Sequence, residues 1–150
     1  MNIELKTKLT QIEPTAIIDD SGEWLNVQCT KELWKEYARL LRTTEGLEMD
    51  YLFCVTCIDW KTHLTMVYHF SSTIHRHTIV VKVNLDRSTP SIETVSDIWR
   101  TAEFHEREVY DLFGVVFTNH PDLRRLFLTD EWVGWPLRKD YEDPINMIKL

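Results

Sequence analysis

The segment Tyr51–Leu85 reads YLFCVTCIDWKTHLTMVYHFSSTIHRHTIVVKVNL, and its three apolar runs decide the fold. YLFCVTCIDW (51–60) is nearly all apolar and predicts a strand buried on both faces. LTMVYHF (64–70) alternates, and TIVVKVNL (78–85) is rich in β-branched residues. The connections KTH and SSTIHRH are short and polar, so the three strands should form an antiparallel meander.

N-terminal to this meander, Ile3, Leu5, Leu9 and Ile12 recur at loosely helical spacing until Pro14 ends the segment. AII, DDSG and EWLNVQC then read as two short strands around a turn at Gly22. Thr30 is a candidate N-cap for KELWKEYARLLRTTEG, with Leu33, Tyr37, Leu40 and Leu41 as the apolar stripe and Gly46 to close it.

C-terminal to the meander comes AEFHEREVYDLFG (102–114), which combines carboxylates, an arginine, a histidine and a tyrosine. Ser96 or Thr101 could cap it, and Gly114 is placed to end it. On a helix, Glu103, Arg107 and Asp111 fall at i, i+4 spacing, so Arg107 would be gripped from both sides. Glu106 or Glu108 could act as a general base beside His105, but an ion-paired structural helix is the commoner meaning of such spacing. After Asn119 no period of 2 or 3.6 persists, and the segment reads as an extended tail rich in Trp, Tyr and Arg. The division expected is an α/β domain over 1–118 and a dependent tail over 119–150.

The chain of 150 residues carries a net charge of −7. This argues against nonspecific nucleic-acid binding, which needs a basic surface. No basic segment precedes an apolar run near the N-terminus, so no signal peptide is expected. No apolar run reaches the roughly 18 residues of a membrane span, so membrane contact should pass through a protein partner. Three cysteines, Cys29, Cys54 and Cys57, point to a reducing compartment. Cys54 and Cys57 form a CxxC, but within a strand their Cα atoms would lie about 10 Å apart on opposite faces, beyond the roughly 7 Å a disulfide spans. His75-Arg-His77 lacks a nearby acidic or Cys ligand, and His105-Glu-Arg-Glu-Val109 is not the HExxH of a zinc helix. No GxGxxG, P-loop, GxSxG or iron–sulfur cysteine set occurs. No catalytic, cofactor or metal residues are therefore assigned.

The run EREVYDLFGVVFTNHPDLRRLFLTDEWVGWPLRKDYEDP (106–144) resembles the signature region of the complex I 30 kDa subunit family, the C subunit of respiratory NADH–quinone oxidoreductase and its J relative in chloroplasts. The residues that carry the resemblance are Glu106, Arg107, Glu108, Asp111 and Gly114, then His120, Arg124 and Arg125, then Pro136, Arg138, Lys139, Asp140 and Tyr141. Where the family often has a histidine between Gly134 and Pro136, this chain has Trp135, which puts in doubt any essential role for a histidine there.

The resemblance implies an α/β (α+β) fold in two layers, with a mixed, mainly antiparallel sheet, helices on one face and an extended C-terminal tail. It implies a non-redox scaffold in the hydrophilic arm of the proton-translocating enzyme, contacting the D, B and I subunits of complex I. FMN, iron–sulfur clusters and quinone would be held by those partners and none by this chain. It also implies a peripheral place on the cytoplasmic side of the inner (plasma) membrane. The alternatives are the equivalent subunit of a membrane-bound hydrogenase or ferredoxin-driven relative, and a free-standing acid/base enzyme using Glu106, Glu108 and His105.

Overall fold

The computed structural model describes residues 2–145 and 147. In chain order the elements are α1 (Asn2–Ile12), β1 (Ile17–Asp19), β2 (Leu25–Cys29), α2 (Lys31–Thr43), β3 (Tyr51–Asp59), β4 (His63–Ser71), β5 (Thr78–Asp86), β6 (Ser91–Glu93), α3 (Ala102–Phe113) and β7 (Val116–Thr118). The meander forms as its sequence requires. β3 pairs antiparallel with β4, and β4 with β5, in unbroken register from His63↔Asp86 to Ser71↔Thr78. The full sheet runs β1-β2-β5-β4-β3, with β2 parallel to β5 and every other pair antiparallel. A small second sheet, β6 beside β7 in parallel, was not evident from the sequence.

Leu5 and Leu9 of α1, Trp34 and Tyr37 of α2, and Val109 and Phe113 of α3 share one core with Val27, Val55, Met66, Tyr68, Val81 and Val83 of the sheet. The helices therefore cover a single face. On the other face Val67 and Val80 are also buried, the Trp24 and His69 rings meet edge to face at 6.0 Å, and Phe53 packs tilted against His69 at 5.7 Å.

Two local readings are corrected. β3 is an edge strand and is not buried on both faces. Leu52, Val55, Cys57 and Asp59 turn inward, Tyr51 and Thr56 are exposed, and a register shift lies between Leu52 and Cys54. Burial on both faces belongs instead to β4, flanked by a strand on each side, where Leu64 to Tyr68 are all buried. An apolar string cannot announce its place in the strand order. In α2 the buried stripe is Trp34, Tyr37, Ala38 and Leu41, while Leu33 is exposed and Leu40 half-buried. The stripe turns toward Trp34 because the indole lies 4.6 Å from the Tyr68 ring and 6.1 Å from Phe70, both on β4. Thr30 occupies the N-cap position without a side-chain capping bond, and the helix stops at Thr43, before Gly46.

Candidate docking interface

α3 ends as its sequence foretells. Gly114 has φ +77°, and its N–H returns to the Tyr110 carbonyl. The left-handed residue is hemmed in as well, since a Cβ there would lie 2.5 Å from the Trp135 ring. At the other end Thr101 is in helical conformation and caps nothing; its hydroxyl donates to the Leu52 carbonyl of β3 at 2.8 Å.

Two charged side chains of α3, Arg107 and Asp111, face inward onto the chain's own tail. Arg107 is gripped by neither Glu103 nor Asp111. Its guanidinium donates to the Arg124 and Arg125 carbonyls at 3.2 and 3.1 Å and lies 5.5 Å over the Phe104 ring. Asp111, fully buried, accepts the N–H groups of Leu126, Phe127 and Leu128 at 3.2, 2.7 and 3.1 Å. It also pairs with Arg125 at 3.0 Å. Burial pushes its carboxyl up, but the Phe127 N–H, the Arg125 guanidinium and the other amides outweigh this and hold it below the usual range.

Arg125 goes on to donate to the Trp132 and Gly134 carbonyls, with its guanidinium 4.6 Å from the Trp135 ring. Arg138 donates to the Phe113 and Arg87 carbonyls at 2.7 and 3.2 Å. Leu137 N–H reaches the Leu112 carbonyl at 3.0 Å.

A second anchor lies at the end of β3. Asp59 binds Arg87 through two bonds of 2.8 Å and accepts the Lys139 N–H at 2.9 Å. Arg87 also holds Asp140 at 2.9 Å. The Arg87 guanidinium keeps the Asp59 carboxyl far below the usual carboxylate range despite burial. Lys139 lies 5.9 Å over the Trp60 ring. Tyr141 packs over Gly134, and its N–H reaches the Arg138 carbonyl at 3.1 Å. Sequence reasoning missed Asp59 and Arg87 as anchors. A carboxylate inside the apolar run around Ile58 and Trp60 was the available signal for the first, and Arg87 offered none.

Glu106 is buried with no exposure. The Thr94 hydroxyl and the Val95 N–H, the latter at 2.9 Å, donate to it. Burial pushes its carboxyl up to about 7. His105 and Glu108 are half-buried, and no hydrogen bond links either to Glu106 among the described residues. The three side chains of the acid/base alternative are thus not brought together.

Arg124 and Asp122 pair with each other at 3.0 Å on the surface, and Pro136 is half-buried. Cys54 lies half-buried beside His69 and Cys57 buried beside Met66, both as free thiols. His75 contacts Glu48, His77 faces the Leu47 carbonyl, and the two rings stack at 5.6 Å. Among the described residues no group of three or more His, Cys, Asp or Glu could hold a metal ion, and no helix is long and apolar enough to cross a membrane.

Beside surface charges such as Arg124 and Asp122, the tail and its surroundings present large apolar side chains outward. Phe104, Val116, Phe127, Val133 and Leu137 are all exposed, Val133 to 87%. The chain belongs to the family of the respiratory-chain NADH dehydrogenase 30 Kd subunit, whose model matches residues 27–145. It is 47% identical over 118 residues to the C/D subunit of NADH-quinone oxidoreductase from Phocaeicola vulgatus, a match covering 77% of this chain and 23% of that protein. It is 42% identical over 113 residues to the C subunit from Chloroherpeton thalassium, covering 74% and 47%. The C subunit from Roseiflexus castenholzii is 37% identical over 149 residues, covering 93% and 85%. The chain thus spans 23% of the length of the first of these relatives and 47% of the second. Among solved structures, the trypsin-resistant fragment (1-134) of Nqo5 superposes with a TM-score of 0.66 at 29% identity, over 82% of this chain and all of that one. A chain of the membrane-bound sulfane sulfur reductase, an archaeal respiratory membrane complex, has a TM-score of 0.82 at 24% identity, over 94% and 85%; the fold is what the two share.

Proposed function

We propose that this chain is a scaffold subunit of the hydrophilic arm of a proton-translocating NADH–quinone oxidoreductase, holding no redox group of its own. The observation that carries this reading is the inside-out tail. Arg125 and Arg138 of the tail, with Arg107 and Asp111 of α3, are spent on fastening it to the domain, and its exposed side carries large apolar side chains. Exposed apolar groups of this size on an ordered, irregular segment call for a protein partner. The D, B and I subunits are the partners proposed, and they would hold the quinone, FMN and clusters. The chain would sit peripherally, on the cytoplasmic side of the membrane.

The test is recovery of the tagged chain from solubilised membranes, wild type beside Arg138→Ala. The wild type should bring down the B, D and I subunits. The variant removes two donors from the Phe113 and Arg87 carbonyls and should loosen the tail, so that assembly fails while the free chain still folds. Normal assembly of the variant with a selective loss of turnover would overturn the scaffold reading.

A hydrogenase-type or ferredoxin-driven host is the second reading. It would bring down a nickel-site large subunit in place of NADH-binding partners. The relatives described above that match at 37–47% identity bear the NADH–quinone name, which favours the first host. An acid/base enzyme centred on Glu106 is disfavoured because that carboxyl is fully buried and already accepts the Thr94 hydroxyl and the Val95 N–H.

A further inference from the structure

At the end of β5 remote from the tail anchors lies a cleft of about 390 Å³ between α1, the start of β2 and the loop joining β4 to β5. Thr78, the first residue of β5, lines this cleft, whereas Arg87, which holds Asp59 and Asp140, follows the last. A strand of nine residues, roughly 25–30 Å, separates the two places. The apolar part of the lining is Leu5 and Leu25, both buried, and the Trp24 ring, 38% exposed. A concave site of this volume, apolar with a few polar groups, has the dimensions of a small-molecule site.

Two cations enter the cleft with hydrogen-bond donors unused. The Lys8 ammonium lies 3.6 Å from Glu4, past hydrogen-bond reach, and packs so closely on Gly46 that a Cβ there would collide with it. The Arg76 guanidinium makes no hydrogen bond or ion pair among the described residues, yet its backbone is firmly held. Arg76 has φ +55°, an uncommon conformation for a residue with a side chain, and its N–H donates to the Ser72 carbonyl at 2.8 Å. On either side of it His75 contacts Glu48, and His77 donates to the Leu47 carbonyl at 3.2 Å. Glu4 and Glu23 line the same cleft from exposed positions. They would repel a dianion such as a phosphate monoester more than a single carboxylate.

We propose that this cleft binds a small organic carboxylate, its charge shared by Lys8 and Arg76 and its apolar body laid against Trp24, Leu5 and Leu25. Lys8 and Trp24 precede residue 27, where the match to the family model begins, so family membership does not by itself imply the site. The proposal holds whichever complex the chain serves.

The test is titration of the full chain with phenylacetate, followed in nitrogen–proton spectra by the Trp24 side-chain signal and the Arg76 amide. Acetate, phenylacetamide and inorganic phosphate are titrated beside it at equal ionic strength. Phenylacetate should shift both signals to saturation. Phenylacetamide lacks the charge and acetate lacks the body, so each should bind about tenfold more weakly or worse. Phosphate should also bind more weakly than phenylacetate. Arg76→Gly removes the guanidinium and suits the left-handed position, so the loop stays folded. It should weaken phenylacetate about tenfold, the loss of a charge-assisted hydrogen bond, and Lys8→Met should do the same. Arg39→Gln, on the surface of α2 beside Glu36, should leave binding unchanged. No saturable shift of Trp24, equal binding of phenylacetamide, tighter binding of phosphate, or full affinity in Arg76→Gly would each overturn the carboxylate site.

Discussion

Asp111 gathers four donors from one stretch of tail: the N–H groups of Leu126, Phe127 and Leu128 and the guanidinium of Arg125. Replacing it with alanine leaves Arg125 half-buried beside an empty place and three amides short of their acceptor. Asp111→Ala should cost about 3–5 kcal/mol, as loss of one partner of a buried pair does, read as a fall in the urea midpoint. Glu106 and Asp111 lie one and a half turns apart and respond to pH with opposite sign. Asp111 binds its proton less tightly folded than unfolded, so its contribution is present above the ordinary carboxylate range and lost as pH falls below it. Glu106 binds its proton more tightly when folded, between the ordinary 4.5 and about 7. Its burial therefore costs least at acid pH and destabilises the fold as pH rises from about 4.5 to about 7. Urea titrations at pH 5 and pH 8 should show Glu106→Gln free of a loss of about 2.5 kcal/mol that the wild type suffers over that interval.

Between elements, the junction of α3 and the tail turns on Gly114. Alanine there must hold φ near +77° and set its Cβ 2.5 Å from the Trp135 ring. Gly114→Ala should lose about 1–2 kcal/mol through the backbone alone, and more as the indole is displaced. Trypsin should then cut faster after Arg124, Arg125 and Arg138. Adding Trp135→Ala should relieve the steric part and leave the backbone part. This junction also marks how far the sequence could be read. The helix and its end at Gly114 were legible because glycine's left-handed freedom is local chemistry. The partners of Arg107 were not. Its i, i+4 spacing to Glu103 and Asp111 offered ion pairs, but the Arg124 and Arg125 carbonyls of a strandless tail also needed donors, and they took it. The meander from β3 to β5 was legible from three apolar runs and two short connections. The edge position of β3 was not, because strand order is set by long-range pairing. The residues of the tail signature were readable, while their inward aim was not, since irregular backbone carries no period from which to infer a face.

For the whole molecule, the apolar outer side of the tail separates folding from assembly. Phe127 is 66% exposed and contributes its N–H, not its ring, to the anchor at Asp111. Phe127→Asp should therefore change the stability of the free chain by less than about 0.5 kcal/mol, as surface substitutions do. Under the proposed function it should nevertheless reduce recovery of the chain with membrane partners. Equal recovery of variant and wild type would remove this side of the tail from the interface. The same anchors have another consequence. Asp111 takes three consecutive main-chain N–H groups, Arg107 takes two consecutive carbonyls, and Lys139 meets Asp59 through its backbone. Contacts of this kind register how many residues separate the fastening points more than which residues they are. Between Gly114 and Lys139 a one-residue deletion should thus be more damaging than most single substitutions, because it slides every later amide and carbonyl past the group waiting for it.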